Sequence, residues 1–363
     1  MKEILFYINN LNSGGAQRQI VELALGFKQR GYEVRFLVYH NDPNEFYHTY
    51  LIKNGIKIDG VFEQNYFKRI LAVRKYLRSQ NFDVLITFLE VSSFMSELAA
   101  FPFKKWKLIV GERSADPAKC KSLRLRFFLY CHVLADYVVA NSYANIDLVK
   151  KLAPIVPKRK CKVIYNMYDA TKIAPVNDFC FLSQGKVHLV VAASHRYLKN
   201  LNGLIEGVNL LEQEEKNKLH IDWFGSNNFD DSLEKGRVKI QSYGLSDVFV
   251  FHAPTMDIYS HMQKADAIGL FSFFEGLPNT ICEGLLLGKP IVATRVSDVP
   301  LFIKDGVNGF LCDADNPQSI AVALSKLLRS SVEKLEMIGL HNRKLALDLF
   351  DKNKILDKYE ALF

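Results

Sequence analysis

Phe271-Ser-Phe-Phe-Glu275-Gly-Leu-Pro-Asn-Thr280-Ile-Cys-Glu283-Gly-Leu-Leu-Leu-Gly288-Lys-Pro290-Ile-Val-Ala-Thr294 is the stretch from which the architecture can be read. An apolar run at 267–271 has the length of a buried strand, and a loop carrying Glu275, Gly276 and Pro278 follows it. Pro278 biases Leu277 toward an extended backbone, so a helix can begin only after it, near Asn279. A second apolar run at 290–294 reads as the next strand. The helix start offers unpaired backbone N–H groups from Asn279 and Thr280 to Cys282, which is a ready anion site. Gly276 lets a ligand approach the backbone of the loop.

Glu275 stands before that turn and Glu283 one turn inside it, so two carboxylates flank one anion position. They would repel an anion unless they accepted hydrogen bonds from hydroxyls on either side of it. A nucleotide sugar has that order: sugar hydroxyls, diphosphate, ribose diol. On spacing alone the pair reads equally well as a loop carboxylate and a helix-dipole carboxylate with no ligand.

Outward from this segment, short apolar runs alternate with helical periods almost throughout the chain, which predicts α/β units with parallel sheets. In the front half, 4–8 reads as a strand, followed by a loop from Asn9 to Gly15. A helix then carries Ile20, Val21, Leu23, Ala24 and Phe27 on one face and ends at Gly31. Strands are predicted at 33–39, 83–88, 107–111, 136–140 and 161–165, and helices at 66–80 and 121–135. The back half restarts the scheme with strands at 186–193, 219–224, 248–251, 266–271 and 290–294 and a helix at 200–211.

Pro175 to Gly185 has no strong period and reads as a linker. At 363 residues, against an ordinary domain of roughly 150, the chain suits two domains. The expected division is 1–180 and 185–344, with a C-terminal helix at about 345–363 packing back on the first. Two doubly wound domains facing across a cleft would bind a ligand beyond the carboxyl ends of their strands.

Hydrophobic residues make up 49% and charged residues 24%, which is globular usage and argues against disorder. No apolar run reaches the ~18 residues that cross a bilayer, and Met1-Lys2-Glu3 with its short apolar run does not read as a signal peptide. A cytoplasmic chain is expected. Its six cysteines include no C-x-x-C pair, so reduced thiols are expected, without disulfides or zinc.

The net charge of +8 is uneven: residues 1–185 hold 27 Lys and Arg against 16 Asp and Glu, and the remainder is slightly acidic. A one-sided basic surface attracts nucleic acid, anionic lipid or acidic substrates. No nucleic-acid recognition motif accompanies it.

The Glu275-x7-Glu283 pair, Gly288-Lys-Pro-Ile-Val and the later Asp305-Gly-Val-Asn-Gly309-Phe-Leu together resemble the signature of glycosyltransferase family 4. The resemblance implies retaining enzymes with the two-Rossmann-domain GT-B fold. It gives Glu275 the donor-sugar hydroxyls and Glu283 the ribose hydroxyls. The backbone amides of Gly276, Leu277, Pro278-Asn279 and Thr280 would meet the sugar and diphosphate. Asn12-Ser-Gly14-Gly15-Ala-Gln-Arg-Gln looks like the family's first glycine loop, which faces the diphosphate across the cleft. It is not G-x-G-x-x-G, so a nicotinamide site is not expected.

Val190-Val-Ala-Ala-Ser194-His-Arg196-Tyr-Leu-Lys199 is similar to the segment where the family places an Arg and a Lys on the departing diphosphate. Here Ser194 stands at the usual arginine position, which leaves Arg196 as the substitute beside Lys199. Two such cations would serve a leaving group that no metal neutralises. No cofactor and no metal are therefore expected. Asp313-Ala-Asp315 has a metal-binding pattern but falls where the family has a variable polar loop. The nine histidines show no metal spacing, and His195 is noted only for lying beside the cations.

Val110-Gly-Glu112-Arg113-Ser-Ala-Asp116-Pro resembles a variant found in bacterial polysaccharide-assembly members. Glu112, Arg113 and Asn141 become acceptor-side candidates, with Asn166 at a further strand end. Segments 66–80, 101–107 and 119–127 mix cations with aromatics, as in members that dock on the anionic inner leaflet to extend lipid-linked glycans.

The implied activity moves a hexose or N-acetylhexosamine from a nucleotide diphosphate sugar, UDP-linked by preference. The acceptor would be a glycan or lipid-linked glycan of a surface polysaccharide such as capsule or O-antigen. Two alternatives stay open at this level: a nucleotide-sugar epimerase of the same fold, and a non-catalytic glycan- or membrane-binding protein.

Overall fold

The structure is a computed structural model that describes all residues except 1, 40–41, 114–117, 177–180, 182–184 and 228; the side chains of 118 and 119 are also outside the description. The chain forms two compact units. Met1–Met167 with Lys352–Phe363 make the first, and Tyr168–Asp351 the second.

In the first unit seven described strands form one parallel sheet: β1 (Glu3–Ile8), β2 (Glu33–Val38), β3 (Lys57–Gly60), β4 (Val84–Phe88), β5 (Lys107–Glu112), β6 (Tyr137–Ala140) and β7 (Cys161–Val163). Their order is β3-β2-β1-β4-β5-β6-β7. Side chains alternate along each strand, so β1 sends Ile4, Phe6 and Ile8 into one core and Leu5 and Tyr7 into another, with helices over both. All six expected strands and helix Tyr66–Ser79 appear within a residue or two of their expected ends. The expected helix at 121–135 is broken into Ala118–Lys121, Leu123–Cys131 and a 3-10 turn at His132–Leu134, with Ser122 capping its middle piece through Leu125 N.

In the second unit six described strands form another parallel sheet: β8 (Val187–Ala192), β9 (Leu219–Phe224), β10 (Phe249–His252), β11 (Ala267–Leu270), β12 (Ile291–Thr294) and β13 (Phe310–Cys312). The order is β10-β9-β8-β11-β12-β13. The fold class is thus α/β with two doubly wound parallel sheets, as expected. The sheet's main core gathers Leu189, Val191, Ile221, Trp223 and Phe310 under helices Leu201–Asn209 and Pro317–Leu328.

The division falls at Met167/Tyr168, where the sequence placed it near 180, because the segment after β7 is anchored in the second unit. Arg343 donates to the carbonyls of Ala170 and Ile173. The expected terminal helix at 345–363 is two elements. Val332–Leu349 belongs to the second unit, and Lys352–Glu360 returns to the first. There it buries Ile355, Leu356 and Tyr359, and Leu356 lies so close to Gly26 that a Cβ at Gly26 would meet it at 2.9 Å. Within the expected linker, 177–180 and 182–184 lie outside the described residues.

Candidate functional site

In the second sheet the strand order reverses between β8 and β11, both leaving their crossovers in opposite directions. Such a switch point opens a crevice at the strands' carboxyl ends. The loops leaving those ends carry the two groups singled out in the sequence. After β8 the chain reaches a 3-10 turn at Tyr197–Lys199, then Asn200 in a left-handed conformation, φ 59°. Asn tolerates that conformation, and its side chain accepts Gly203 N at 3.0 Å to cap the next helix while donating to Ala314 O at 2.7 Å. Lys199 is therefore held from both sides.

After β11, Phe273 N donates to Leu198 O at 2.9 Å, tying the two loops together. Lys199 Nζ meets Glu275 Oε1 at 2.5 Å, and Ser272 Oγ donates to the same oxygen at 2.6 Å. The side chains are only 15% and 13% exposed, so the pair is partly withdrawn from solvent. Among the described residues no donor reaches Oε2 of Glu275. One oxygen holds the lysine and the other remains available as an acceptor.

Helix Asn279–Leu286 begins where expected, with Pro278 at its N-cap and no capping side chain. Ile281 N and Cys282 N, however, donate to Pro278 O at 3.1 and 3.3 Å, so the anion position expected from Asn279 to Cys282 narrows to the first N–H groups of the turn. Side chains at its start point elsewhere: Thr280 Oγ1 donates to Ala192 O at 2.8 Å, and Asn279 Oδ1 accepts from Tyr168 at 2.6 Å. Gly276 O accepts from Ser297 Oγ, and Leu277 is buried. Glu283, one turn into the helix, is 5% exposed and accepts from Tyr259 at 3.1 Å. That tyrosine was not anticipated, because it comes from helix Ile258–Lys264 and nothing in its local sequence announces a partner 24 residues on.

The loop carrying the cations is pressed against the one after β9. A Cβ on Gly225 would lie 2.0 Å from Ala193 O, so only glycine fits there. Arg196 caps the 3-10 turn, but its guanidinium stacks over Phe229 at 5.4 Å and its buried Nε has no hydrogen-bond partner. His195 is buried between Trp223 and Phe251 with neither ring nitrogen hydrogen-bonded, and burial pushes its pKa down. It is placed as a packing residue between two aromatic rings. Asp313 lies 3.6 Å from Arg295.

The remaining candidates lie in the first unit. Gly14 is the N-cap of helix Gly15–Gln29, which also has no side-chain cap. Glu112, at the end of β5, is buried and contacts His132 Nε2 at 3.2 Å, while Glu97 Oε1 meets His132 Nδ1 at 2.6 Å. Burial opposes a charge on His132, but the two carboxylates outweigh it and raise the imidazole to about 10. The sequence did not reveal this triad, whose members are 15 and 20 residues apart and share no periodic face. Arg113 stacks on Phe88 at 3.6 Å and donates to Tyr359 at 2.6 Å and Asn166 at 3.3 Å. Asn141 Oδ1 accepts from Asn145 at 2.6 Å. These three acceptor candidates thus all have partners inside their own unit, and Ser114 to Pro117 of the same motif lie outside the described residues.

On the basic face, Arg124 sits 5.7 Å over Tyr66, joining helices Tyr66–Ser79 and Leu123–Cys131. Phe67, Leu71, Phe103, Leu123 and Phe127 are exposed there. Several cations counted as surface charge in the sequence hold the fold instead. Arg74 donates to Leu98 O and Phe101 O, Arg78 to Ala99 O and Phe103 O, and Lys104 pairs with Asp136 at 3.1 Å. Lys68, Lys75 and Lys105 form no ion pair among the described residues. No described helix is long and apolar enough to cross a membrane.

A lysine–carboxylate pair beside an uncapped helix start, at the switch point of a doubly wound sheet, has the form of a phosphate-bearing ligand site. Comparison with known proteins assigns its class. The sequence model described as Glycosyltransferase Family 4 matches residues 13–172, and that described as Glycosyl transferases group 1 matches 185–330. The chain belongs to the family 4 type of glycosyltransferases and is a hexosyltransferase with the GT-B fold.

An α-1,4-N-acetyl-D-galactosaminyltransferase of Campylobacter jejuni, named for a diphosphate-undecaprenol-linked GalNAc substrate, is 24% identical and spans 93% of this chain and 92% of its own. The lipopolysaccharide core biosynthesis glycosyltransferase LpsD of Rhizobium meliloti is also 24% identical, covering 99% and 97%. Among solved structures, HepE of Anabaena in complex with UDP-glucose superposes with a TM-score of 0.84 at 19% identity, covering 100% of this chain and 99% of that one.

Proposed function

We propose that this chain transfers a hexose or N-acetylhexosamine, with retention of configuration, from a UDP-sugar to a glycan or lipid-linked glycan during assembly of a surface polysaccharide such as capsule or O-antigen. The observation that carries the reading is the Lys199–Glu275 pair, whose free Glu275 oxygen can accept from sugar hydroxyls. Lys199 has two further N–H donors for a diphosphate oxygen. Glu283, oriented by Tyr259, takes the ribose hydroxyls.

As the glycosidic bond breaks, negative charge grows on the leaving diphosphate. Lys199, Arg196 and the first N–H groups of helix Asn279–Leu286, at Asn279 and Thr280, stabilise it. Among the described residues no hydrogen bond holds the Arg196 side chain, so it can turn from Phe229. The acceptor hydroxyl attacks from the face the diphosphate leaves, and its proton passes to a leaving phosphate oxygen. The products are UDP and the extended glycan. Lysine and arginine stand where a divalent ion would otherwise balance charge, so added Mg2+ or Mn2+ leaves turnover unchanged.

The UDP-glucose complex of HepE and the undecaprenol-linked substrate in the name of the Campylobacter jejuni relative support the choice of donor and acceptor. In the same reading the first unit docks on an anionic leaflet through Phe67, Phe103, Leu123 and Phe127 together with Lys68, Lys75 and Lys105. Each well-placed cation contributes about 1 kcal/mol near such a surface. The test is UDP release from a panel of UDP-sugars with and without undecaprenyl-diphosphate-linked glycans. Release on acceptor addition supports the proposal. Conversion of the sugar without UDP release makes the protein an epimerase, and tight UDP-sugar binding without turnover over the panel makes it a binding protein. Sedimentation with phosphatidylglycerol vesicles, lost in Lys68→Glu/Lys75→Glu, tests docking separately.

A further inference from the structure

Strands of a parallel sheet covered on both faces ordinarily read as continuous apolar runs. β9, Leu219-His-Ile-Asp-Trp-Phe224, does not. Leu219, Ile221 and Trp223 enter the main core, so His220 and Asp222 point to the opposite face. The neighbouring strands add to them. His188 on β8 is in direct register with His220, and His252 on β10 is in register with Phe224.

Three imidazoles from three adjacent strands therefore converge on one carboxylate. His188 Nε2 and His220 Nε2 both face Asp222 Oδ2, the latter at 3.5 Å, while His252 Nε2 binds the other oxygen, Oδ1, at 2.5 Å. The two nitrogens and the carboxylate all place ligating atoms within 4.8 Å of one another. All three side chains keep some solvent access, with exposures of 18%, 32% and 13%.

We propose that His188, His220 and Asp222 bind a divalent transition-metal ion of the Zn2+ class, clamping β8 to β9. Tetrahedral zinc with bonds of about 2.0–2.1 Å spaces its ligand atoms about 3.3 Å apart. Side-chain rotations bring the present cluster to that spacing: the His188–Asp222 contact opens and the two imidazoles draw together. Water fills the fourth position. His252 keeps Oδ1 and leaves Oδ2 for the metal, the arrangement by which an outer hydrogen bond orients a ligating carboxylate. Its ring is fixed by stacking on Phe224 at 4.3 Å, with His261 against the same phenyl ring at 4.5 Å. Two imidazoles and a single carboxylate favour a borderline ion over Mg2+ or Ca2+, which take oxygen ligands.

His188 is six residues before Ser194, on the order of 20 Å along an extended strand. Asp222 and His252 sit nearer the carboxyl ends of β9 and β10, so the cluster runs along one face of the sheet and draws on none of the loop residues, Lys199 and Glu275, that form the donor site. It is a structural clamp, and no step of sugar transfer passes through it.

The test uses the full chain without a histidine tag, stripped with EDTA and titrated with ZnCl2 against a chromogenic chelator, alongside thermal unfolding. One tight equivalent per chain is expected, with a rise in Tm that MgCl2 does not reproduce. His188→Gln and His220→Gln should each weaken binding more than about 100-fold, while His341→Gln, remote in helix Val332–Leu349, binds as the wild type. Absence of a stoichiometric equivalent in the wild-type chain overturns the proposal, whatever the variants do. Retention of that equivalent in the His188→Gln/His220→Gln double variant, with unchanged far-UV circular dichroism, overturns it as well.

Discussion

Replacing Lys199 with alanine tests the donor site most directly. The substitution removes the cation that neutralises Glu275 and donates to the leaving diphosphate. Glu275 then retains only Ser272 on Oε1, in a side chain 13% exposed. A carboxylate and a phosphate held on the order of 6 Å apart repel by about 3 kcal/mol at an effective dielectric constant of ~20. The lost stabilisation of leaving-group charge is of similar size, about 3–4 kcal/mol. The two effects overlap, because before substitution the lysine shared its charge between both anions. We therefore expect kcat to fall about 10²–10³-fold, with a smaller rise in donor KM.

The assay is initial-rate UDP release at saturating donor, with circular dichroism to confirm folding. Glu275→Gln alone should also slow turnover, since it weakens the grip on the sugar. The double variant Lys199→Ala/Glu275→Gln should lose less than the product of the single losses, because removing the carboxylate charge also removes the repulsion. Unchanged turnover in Lys199→Ala, or strictly multiplicative losses in the double variant, would refute the reasoning.

Three further outcomes are expected. His132 is raised to about 10 by Glu97 and Glu112, so its contribution to stability is complete below its unfolded value near 6.5 and is lost as pH climbs through about 10. Glu97, itself raised by burial, likewise favours the folded state less as pH rises above its ordinary carboxyl value, so it adds to this trend; the unfolding midpoint should thus decline on the alkaline side, and His132→Gln should flatten the decline while costing about 3 kcal/mol at neutral pH. Arg113→Ala, by freeing Tyr359 and uncovering Phe88, should lower stability by about 2 kcal/mol in urea titration. Gly225→Ala drives a methyl group into Ala193 O and should cost at least about 2 kcal/mol, reducing donor turnover by displacing the loop that carries Lys199; an unaltered melting temperature would contradict it.

Much of the fold was legible because its signals are local. β12 and helix Asn279–Leu286 appear where apolar run length and Pro278 put them, and Gly31 ends its helix with φ 86°. Helices Glu90–Ala100 and Tyr143–Leu152 escaped notice, as did the short β3, whose four residues include two charges and a glycine. The candidate site was legible in its parts. Lys199 and Glu275 were both named from the sequence, but as groups for different portions of the donor; their direct contact follows from the β8–β11 pairing, which sequence spacing does not encode.

Residue types and their order by themselves determined the class of fold, the helix that presents its N-terminus, and the acidic and basic groups at the strand ends. These depend on periodicity and backbone geometry within some twenty residues. Only the tertiary structure decided which charges are free and which are engaged: Arg74, Arg78 and Arg113 hold carbonyls, rings and hydroxyls within the first unit. It alone gathered Glu97, His132 and Glu112, and likewise His188, His220, Asp222 and His252. The physical reason is that strand register and helix packing join residues distant in the chain, and a side chain's charge acts only through the partners that packing brings within a few ångströms.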